Sequence, residues 1–210
     1  MEDLPVTLNR DDVDVLDEKI VWNGFFKMHK LTLKHRKFDG EWTGEISREL
    51  FHRGEASAAV LYDPEHDLIG LVEQFRVGAI DSSFGPWCLE VVAGMLEEGE
   101  TPAELIKREL EEEAGVTDAA IIPITTYYST PGGCSELIHL FCATCNLKGR
   151  GGVFGLDDEN EDIYLHVLPA DEVFAGMLNS RANNAATLIG LQWLQLNRQS
   201  LMAKRESQQT

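Results

Sequence analysis

Glu109, Glu112 and Glu113 stand at the i, i+3 and i+4 spacing of one helix turn. Carboxylates so placed are neighbours on a helix surface and repel at roughly 0.2–0.5 kcal/mol per pair unless a counter-ion lies among them. A hard divalent cation removes that penalty. Mg²⁺ takes carboxylate oxygens and waters and bridges to phosphate, so the chemistry open to this cluster is metal-assisted attack on a phosphorus centre. The plainer alternative is a solubilising acidic face.

The elements that must position these carboxylates are legible around them. Thr101-Pro102-Ala103-Glu104 is a capping box with proline at the first helical position, and Gly115 stands where a C-terminal glycine belongs. The helix is therefore predicted over Pro102 to Ala114. At 100° per residue, Ala103, Ile106, Leu110 and Ala114 share the packing face, and Glu109, Glu112 and Glu113 lie beside it. Glu104, Lys107 and Glu111 occupy the solvated arc, with Glu104 and Arg108 expected as an i,i+4 pair. Leu105 projects between Glu109 and Glu112, which places the acidic arc along a cleft wall.

The full pattern is G-x5-E-x7-R-E-[aliphatic]-x-E-E-x-G-[aliphatic], filled by Gly94, Glu100, Arg108, Glu109, Leu110, Glu112, Glu113, Gly115 and Val116. It resembles the Nudix box at every position. The resemblance implies hydrolysis of a nucleoside diphosphate linked to another group, with two or three Mg²⁺ ions per site, or Mn²⁺ in their place. By the same resemblance Glu109 and Glu113 are the main metal ligands, Glu112 a shared ligand and the Ala93 carbonyl a backbone ligand. Arg108 and Glu100 would hold the loop–helix turn together.

Beyond the box, from about Leu4 to Leu196, the chain resembles the ADP-ribose pyrophosphatase subgroup of that family. Its marker is Pro131 in Ser129-Thr-Pro-Gly-Gly-Cys-Ser-Glu136. Read alone, Pro-Gly-Gly is a tight loop; the resemblance implies that it meets the terminal ribose through Gly133 and Glu136. It further implies adenine contacts at Phe25 and Phe26, and substrate contacts at Arg48, Glu49, Arg53, Met95 and Arg76, the last suited to diphosphate. The acidic loop Gly155-Leu-Asp-Asp-Glu-Asn-Glu-Asp162 reads by itself as a solvated turn. In the subgroup its counterpart is catalytic, which would make Glu159 the base and Glu161 a metal ligand. Other sugar nucleotides, dinucleoside polyphosphates, and a sensor that binds without cleaving remain alternatives.

The rest of the chain bounds these readings. It has 36 acidic and 18 basic side chains and a net charge of -18, which disfavours nucleic acid and anionic membrane as partners and demands bound cations or arginines around any anionic ligand. Neither a basic, apolar leader nor a membrane-length apolar run is present, so a cytoplasmic enzyme is expected. Cys142 and Cys145 form a C-x-x-C within a strand-like run, where residues three apart face opposite sides and suit no single metal.

Residues 1–53 are expected to form a small antiparallel β unit: weak signals to residue 17, a strand over Lys19 to Leu33, and a hairpin partner over Glu41 to Phe51. Such a unit is too small to stand alone, and the resemblance implies a homodimer whose subunits exchange it. Residues 54–210 are expected to form the main domain. Its strands are placed at Ser57–Tyr62, Leu68–Gln74, Trp87–Val92, Ala119–Tyr128, Leu137–Leu147 and Ile163–Leu168, and further helices at Asp171–Leu178 and Asn184–Leu196, before a fraying polar tail. This order of elements argues for an α/β/α sandwich on a mixed sheet.

Overall fold

The structure, a computed structural model, describes residues 6–156, 160–179 and 181–208. The chain divides into two compact units, one of Met1–Gly54 with Tyr128–Glu136 and the other of Glu55–Tyr127 with Leu137–Thr210.

The first unit is a three-stranded antiparallel sheet in the order β1 (Val13–Asn23), β2 (Lys27–His35), β3 (Ile46–His52). The single strand expected over Lys19 to Leu33 is in fact two. It breaks at Gly24-Phe25-Phe26, where the Gly24 N–H donates to the Phe26 carbonyl at 3.1 Å and the chain reverses. β1 accordingly reaches back to Val13, inside the stretch whose acidic residues had masked its Val-x-Val alternation. Nearly all of β1 is solvent-exposed, Trp22 at 69% and Ile20 at 53%. The loop Tyr128–Glu136 joins this unit through Phe51, whose N–H donates to the Gly133 carbonyl at 2.8 Å and whose carbonyl accepts from Ser135 N–H at 3.1 Å.

The second unit is organised on an eight-stranded sheet. Its central strand is β4 (Glu55–Asp63), which runs antiparallel to β5 (Leu68–Phe75) and parallel to β9 (Leu137–Thr144). β10 (Gly152–Phe154) and β11 (Ile163–Pro169) extend the sheet beyond β5, and β8 (Ala120–Tyr128) lies outside β9. β4 is buried on both faces, so its sequence is a near-continuous apolar run, as a central strand requires.

Successive residues of β4 serve opposite layers. Ala58, Val60 and Tyr62 pack with α2 (Ala170–Gly176) and α3 (Ala185–Gln208) through Val173, Leu191 and Leu194. Ala59 and Leu61 pack with α1 (Pro102–Ala114) through Ile106, Leu110 and Ala114. Helices therefore cover both faces, and the α/β/α sandwich on a mixed sheet is what forms. Cys142 and Cys145 fall into these two different cores.

Three expectations are corrected. The run Trp87–Val92 is split at Val91 into β6 (Trp87–Glu90), paired with β5, and β7 (Val92–Met95), paired with β4. The glycine-rich stretch just before the acidic loop, where no strand was expected, contains β10. Past Asn197, where fraying was expected, α3 continues to Gln208, and Leu201, 8% exposed, and Met202 carry its apolar stripe onto the core. Among the described residues no helix is long and apolar enough to cross a membrane.

Candidate metal and catalytic site

β7 delivers the chain to α1 through a loop whose two ends are fixed by local chemistry. At the helix start, the Thr101 hydroxyl accepts from Glu104 N–H at 3.3 Å while the Glu104 carboxylate accepts from Thr101 N–H at 2.9 Å, with Pro102 inside the first turn. At its end Gly115 turns left-handed (φ 61°), and the N–H groups of Gly115 and Val116 close on the carbonyls of Glu111 and Leu110 at 3.0 and 2.9 Å. The helix spans the predicted residues. Its packing face is rotated from the predicted one: Leu105 is buried and Ala103 exposed, since a leucine gains more from burial than an alanine.

That rotation carries Glu109 and Glu113 inward, to 9% and 3% exposure. The Glu113 carboxylate accepts from the Ala93 N–H at 3.1 Å. Burial, joined by the charge of Glu109, pushes Glu113 up to about 8, against the pull of that N–H and of Arg76. Burial likewise pushes Glu109 up to about 7, with Arg108 acting downward and Glu112 and Glu161 upward. Gly94 is necessary here for lack of room: a Cβ on it would overlap the Glu109 carboxylate and come within 2.7 Å of Cγ.

Arg108 does not pair with Glu104, whose carboxylate is engaged by the cap. Its guanidinium instead reaches Glu100 at 3.2 Å, Glu109 at 2.9 Å and Glu112 at 2.9 Å. Glu100 in turn accepts from Glu97 N–H at 3.3 Å, so Arg108 and Glu100 tie the loop to the helix while Arg108 partly neutralises the carboxylates. Among the described residues no three His, Cys, Asp or Glu side chains are already gathered in ligand geometry, as expected where an arginine bridges two of them. The donor set still fits a hard divalent ion: all its ligands are oxygens, two of its carboxylates are buried and short of positive charge, and a side-chain-free wall at Gly94 admits them.

The acidic loop is tied to the helix by the Gly155 N–H, which donates to the Glu112 carbonyl at 3.2 Å. Gly155 adopts φ 104° against the Glu161 backbone, and the half-buried Glu161 adds its negative field to Glu109 and Glu113. Glu159 lies outside the described residues. Met95 ends β7, paired with Ala56.

Arg76, at the end of β5, completes this part of the site. Its Nε donates to Glu90 at 2.7 Å, and the other Glu90 oxygen accepts from Asn184 Nδ2 at 2.9 Å. Sequence reasoning missed Glu90 and Asn184. Asn184 carried a signal, because an asparagine directly before a helix is a cap; Glu90, a lone acid in an apolar strand, was a second.

The remaining predicted residues belong to the first unit. Phe26 packs edge-on against Phe25 at 4.7 Å and Phe51 at 5.2 Å between ring centroids. The Arg53 guanidinium lies 5.0 Å from the Phe26 ring and pairs with Glu136 at 2.9 Å. Trp22, Phe25, Phe26, Met28 and Phe51 line an apolar recess of about 380 Å³, of which Phe51 had been read only as the end of a hairpin strand. The structure thus gathers Phe25, Phe26, Arg53, Gly133 and Glu136. Arg48 and Glu49 are consecutive in β3 and face opposite sides, so they do not share one group of contacts within this unit.

A fold of this kind carries buried carboxylates on its first helix after a glycine loop, and comparison with known proteins gives it a family. The NUDIX domain model matches residues 52–189, and the chain belongs to that family. It is 38% identical over 200 residues to an ADP-ribose pyrophosphatase of Escherichia coli (strain K12), covering 95% of this chain and 96% of that one. It is 40% identical over 192 residues to an ADP-ribose pyrophosphatase of Haemophilus influenzae, covering 90% and 88%. The crystal structure of an ADP compounds hydrolase superposes with a TM-score of 0.67 at 18% identity, over 90% of this chain and 97% of that one, which bears on the fold.

Proposed function

We propose that this protein is a hydrolase that cleaves the pyrophosphate bond of ADP-ribose to AMP and ribose 5-phosphate. The observation that carries the reading is the level of likeness along the chain, 38–40% identity to ADP-ribose pyrophosphatases against 28–32% to GDP-mannose pyrophosphatases over 88% of the chain, whereas the box alone would fit any nucleotide linked to another group. The grouping of Phe26, Arg53 and Glu136 supports it: an aromatic face, a guanidinium and a carboxylate are the partners an adenine ring and ribose hydroxyls require.

In this reading Glu109, Glu112 and Glu113, with the Ala93 carbonyl and Glu161, would hold Mg²⁺ or Mn²⁺, two or three ions per site. Bound there, the cations would lower the pKa of water and neutralise phosphate charge. Arg108, paired with Glu100, Glu109 and Glu112, would leave the last two to bound cations and keep Glu100. Arg76 binds the diphosphate. Glu159 takes a proton from the attacking water; the water oxygen bonds to one phosphorus, and the bridging P–O bond breaks with its electron pair going to the departing phosphate. Two copies of the chain exchange their first units, a proposal supported by the exposed apolar residues of β1, including Leu16, Ile20 and Trp22.

A turnover panel tests the substrate. ADP-ribose, GDP-mannose and a dinucleoside polyphosphate are incubated with the protein in Mg²⁺ and products are separated by chromatography. ADP-ribose is expected to give the highest kcat/KM by at least about tenfold; a higher value for either of the others overturns the reading.

A further inference from the structure

Arg76 is held from both directions. Its own N–H donates to the Pro86 carbonyl at 2.8 Å, and its carbonyl accepts from Ala79 N–H at 2.9 Å, which fixes the backbone where β5 ends. Its side chain is anchored through Nε alone, by Glu90. Among the described residues its two Nη groups have no protein partner. A guanidinium held at Nε by a carboxylate keeps its plane fixed and presents the Nη edge, the edge that forks onto two phosphate oxygens. Arg76 is 44% exposed at its side chain, whereas Glu90 is 12% exposed. The anchor is buried, and the guanidinium it holds is partly exposed and close enough to Glu113 for its charge to act on that carboxylate.

Glu90 is itself fixed from a distant part of the chain. Asn184 donates to it through Nδ2 at 2.9 Å and caps α3 by accepting from Thr187 N–H through Oδ1, also at 2.9 Å. The fully buried Thr187 hydroxyl accepts from Val91 N–H at 3.1 Å, which locks the first turn of α3 beside Glu90. The positive end of a 24-residue helix thus stands next to this carboxylate. A carboxylate only 12% exposed, one oxygen accepting from Arg76 and the other from Asn184, requires a reason to be there, and orienting Arg76 is the one its bonds supply.

We propose that Glu90, secured by Asn184 at the N-terminus of α3, is the positioning residue that aims Arg76 at the substrate's diphosphate. The proposal rests on the assignment of Arg76 to that diphosphate. Steady-state kinetics on the full-length protein with ADP-ribose and Mg²⁺ separates the two. Arg76→Ala is expected to lower kcat/KM strongly. Glu90→Ala is expected to raise KM about tenfold with a smaller change in kcat, the loss of one charge-assisted orientation. Glu90→Gln, which keeps an acceptor for Nε, recovers part of it. Asn184→Asp retains the cap but sets a second carboxylate against Glu90 in place of the donor, and should raise KM by a few fold. In the Arg76→Ala background, Glu90→Ala should have no further effect.

An Arg76→Ala enzyme with wild-type kcat/KM overturns the Arg76 assignment and the proposal with it. An impaired Arg76→Ala enzyme in which Glu90→Ala lowers kcat/KM by the same factor as in the wild type overturns the positioning role alone. Should Glu90→Ala fail to fold, Glu90→Gln and Asn184→Asp carry the same cycle.

Discussion

The two units differ in how their functional side chains are held. In the second, Glu113 is 3% exposed with an N–H bonded to its carboxylate, Glu109 is wedged against Gly94, and Arg108 spans the loop and the helix. In the first, Phe25 is 89% and Trp22 69% exposed, on a sheet of three strands that has no second layer of its own among the described residues. Chemistry that depends on charge placement needs buried, pre-set groups, because a charge is worth most where water is excluded. Recognition of a flat base needs aromatic surface that is open until the ligand or a partner covers it. Changes in the second unit should therefore lower turnover on any substrate, and changes in the first should alter affinity and choice of substrate.

The largest effect is expected at Glu113. Glu113→Gln keeps the shape and the bond from Ala93 N–H but removes a charge proposed to hold metal, so kcat should fall by on the order of 10³-fold, measured as AMP release. Glu159→Gln should lower kcat by roughly 10²–10⁴-fold with KM little changed; near-normal turnover would remove Glu159 from the role of base. Gly94→Ala forces the Glu109 carboxylate out of its place and should cost about 1–3 kcal/mol of stability as well as activity, read from denaturant melts and kinetics together. In the first unit, Arg53→Ala should raise KM for ADP-ribose about tenfold and leave kcat nearly intact. A kcat collapse there would erase the contrast between the units.

The smallest effect is one of pH. In the folded protein burial pushes Glu109 up to about 7 and Glu113 up to about 8, from the ordinary 4.5. The folded state therefore holds these protons more tightly than the unfolded chain. Stability of the metal-free protein should fall as pH rises from about 4.5 to about 8 and level off above that. Divalent ions displace the protons, so the gain in melting temperature on adding Mg²⁺ should grow across the same window. Glu113→Gln should flatten both trends; a metal-free melting temperature that rises with pH through this range would contradict the burial of these carboxylates.

Much of the site was legible because its parts are local. The cap at Thr101, the proline after it, the glycine at 115 and the spacing of the glutamates all act within a few residues, and the helix formed where they placed it. Leu105 was misread because position on a helical wheel gives an arc, and only the sheet beneath decides which part of it is covered. Glu90 and Asn184 were missed for the opposite reason: they are distant in sequence, and their bond exists only once α3 has docked beside β6. The break at Gly24 was obscured by strand-forming residues on both sides, Trp22 and Phe25 among them. The grouping of Tyr128–Glu136 with the first unit rests on backbone pairing between Phe51 and Gly133, which side-chain types do not encode.

The most direct measurement follows AMP and ribose 5-phosphate from ADP-ribose with the intact protein in Mg²⁺, in Mn²⁺ and in chelator. Equal amounts of the two products in either metal, their loss in chelator and their loss in Glu113→Gln are the predicted result. Binding of ADP-ribose without AMP release in both metals would contradict it, and would make the protein a sensor of the nucleotide.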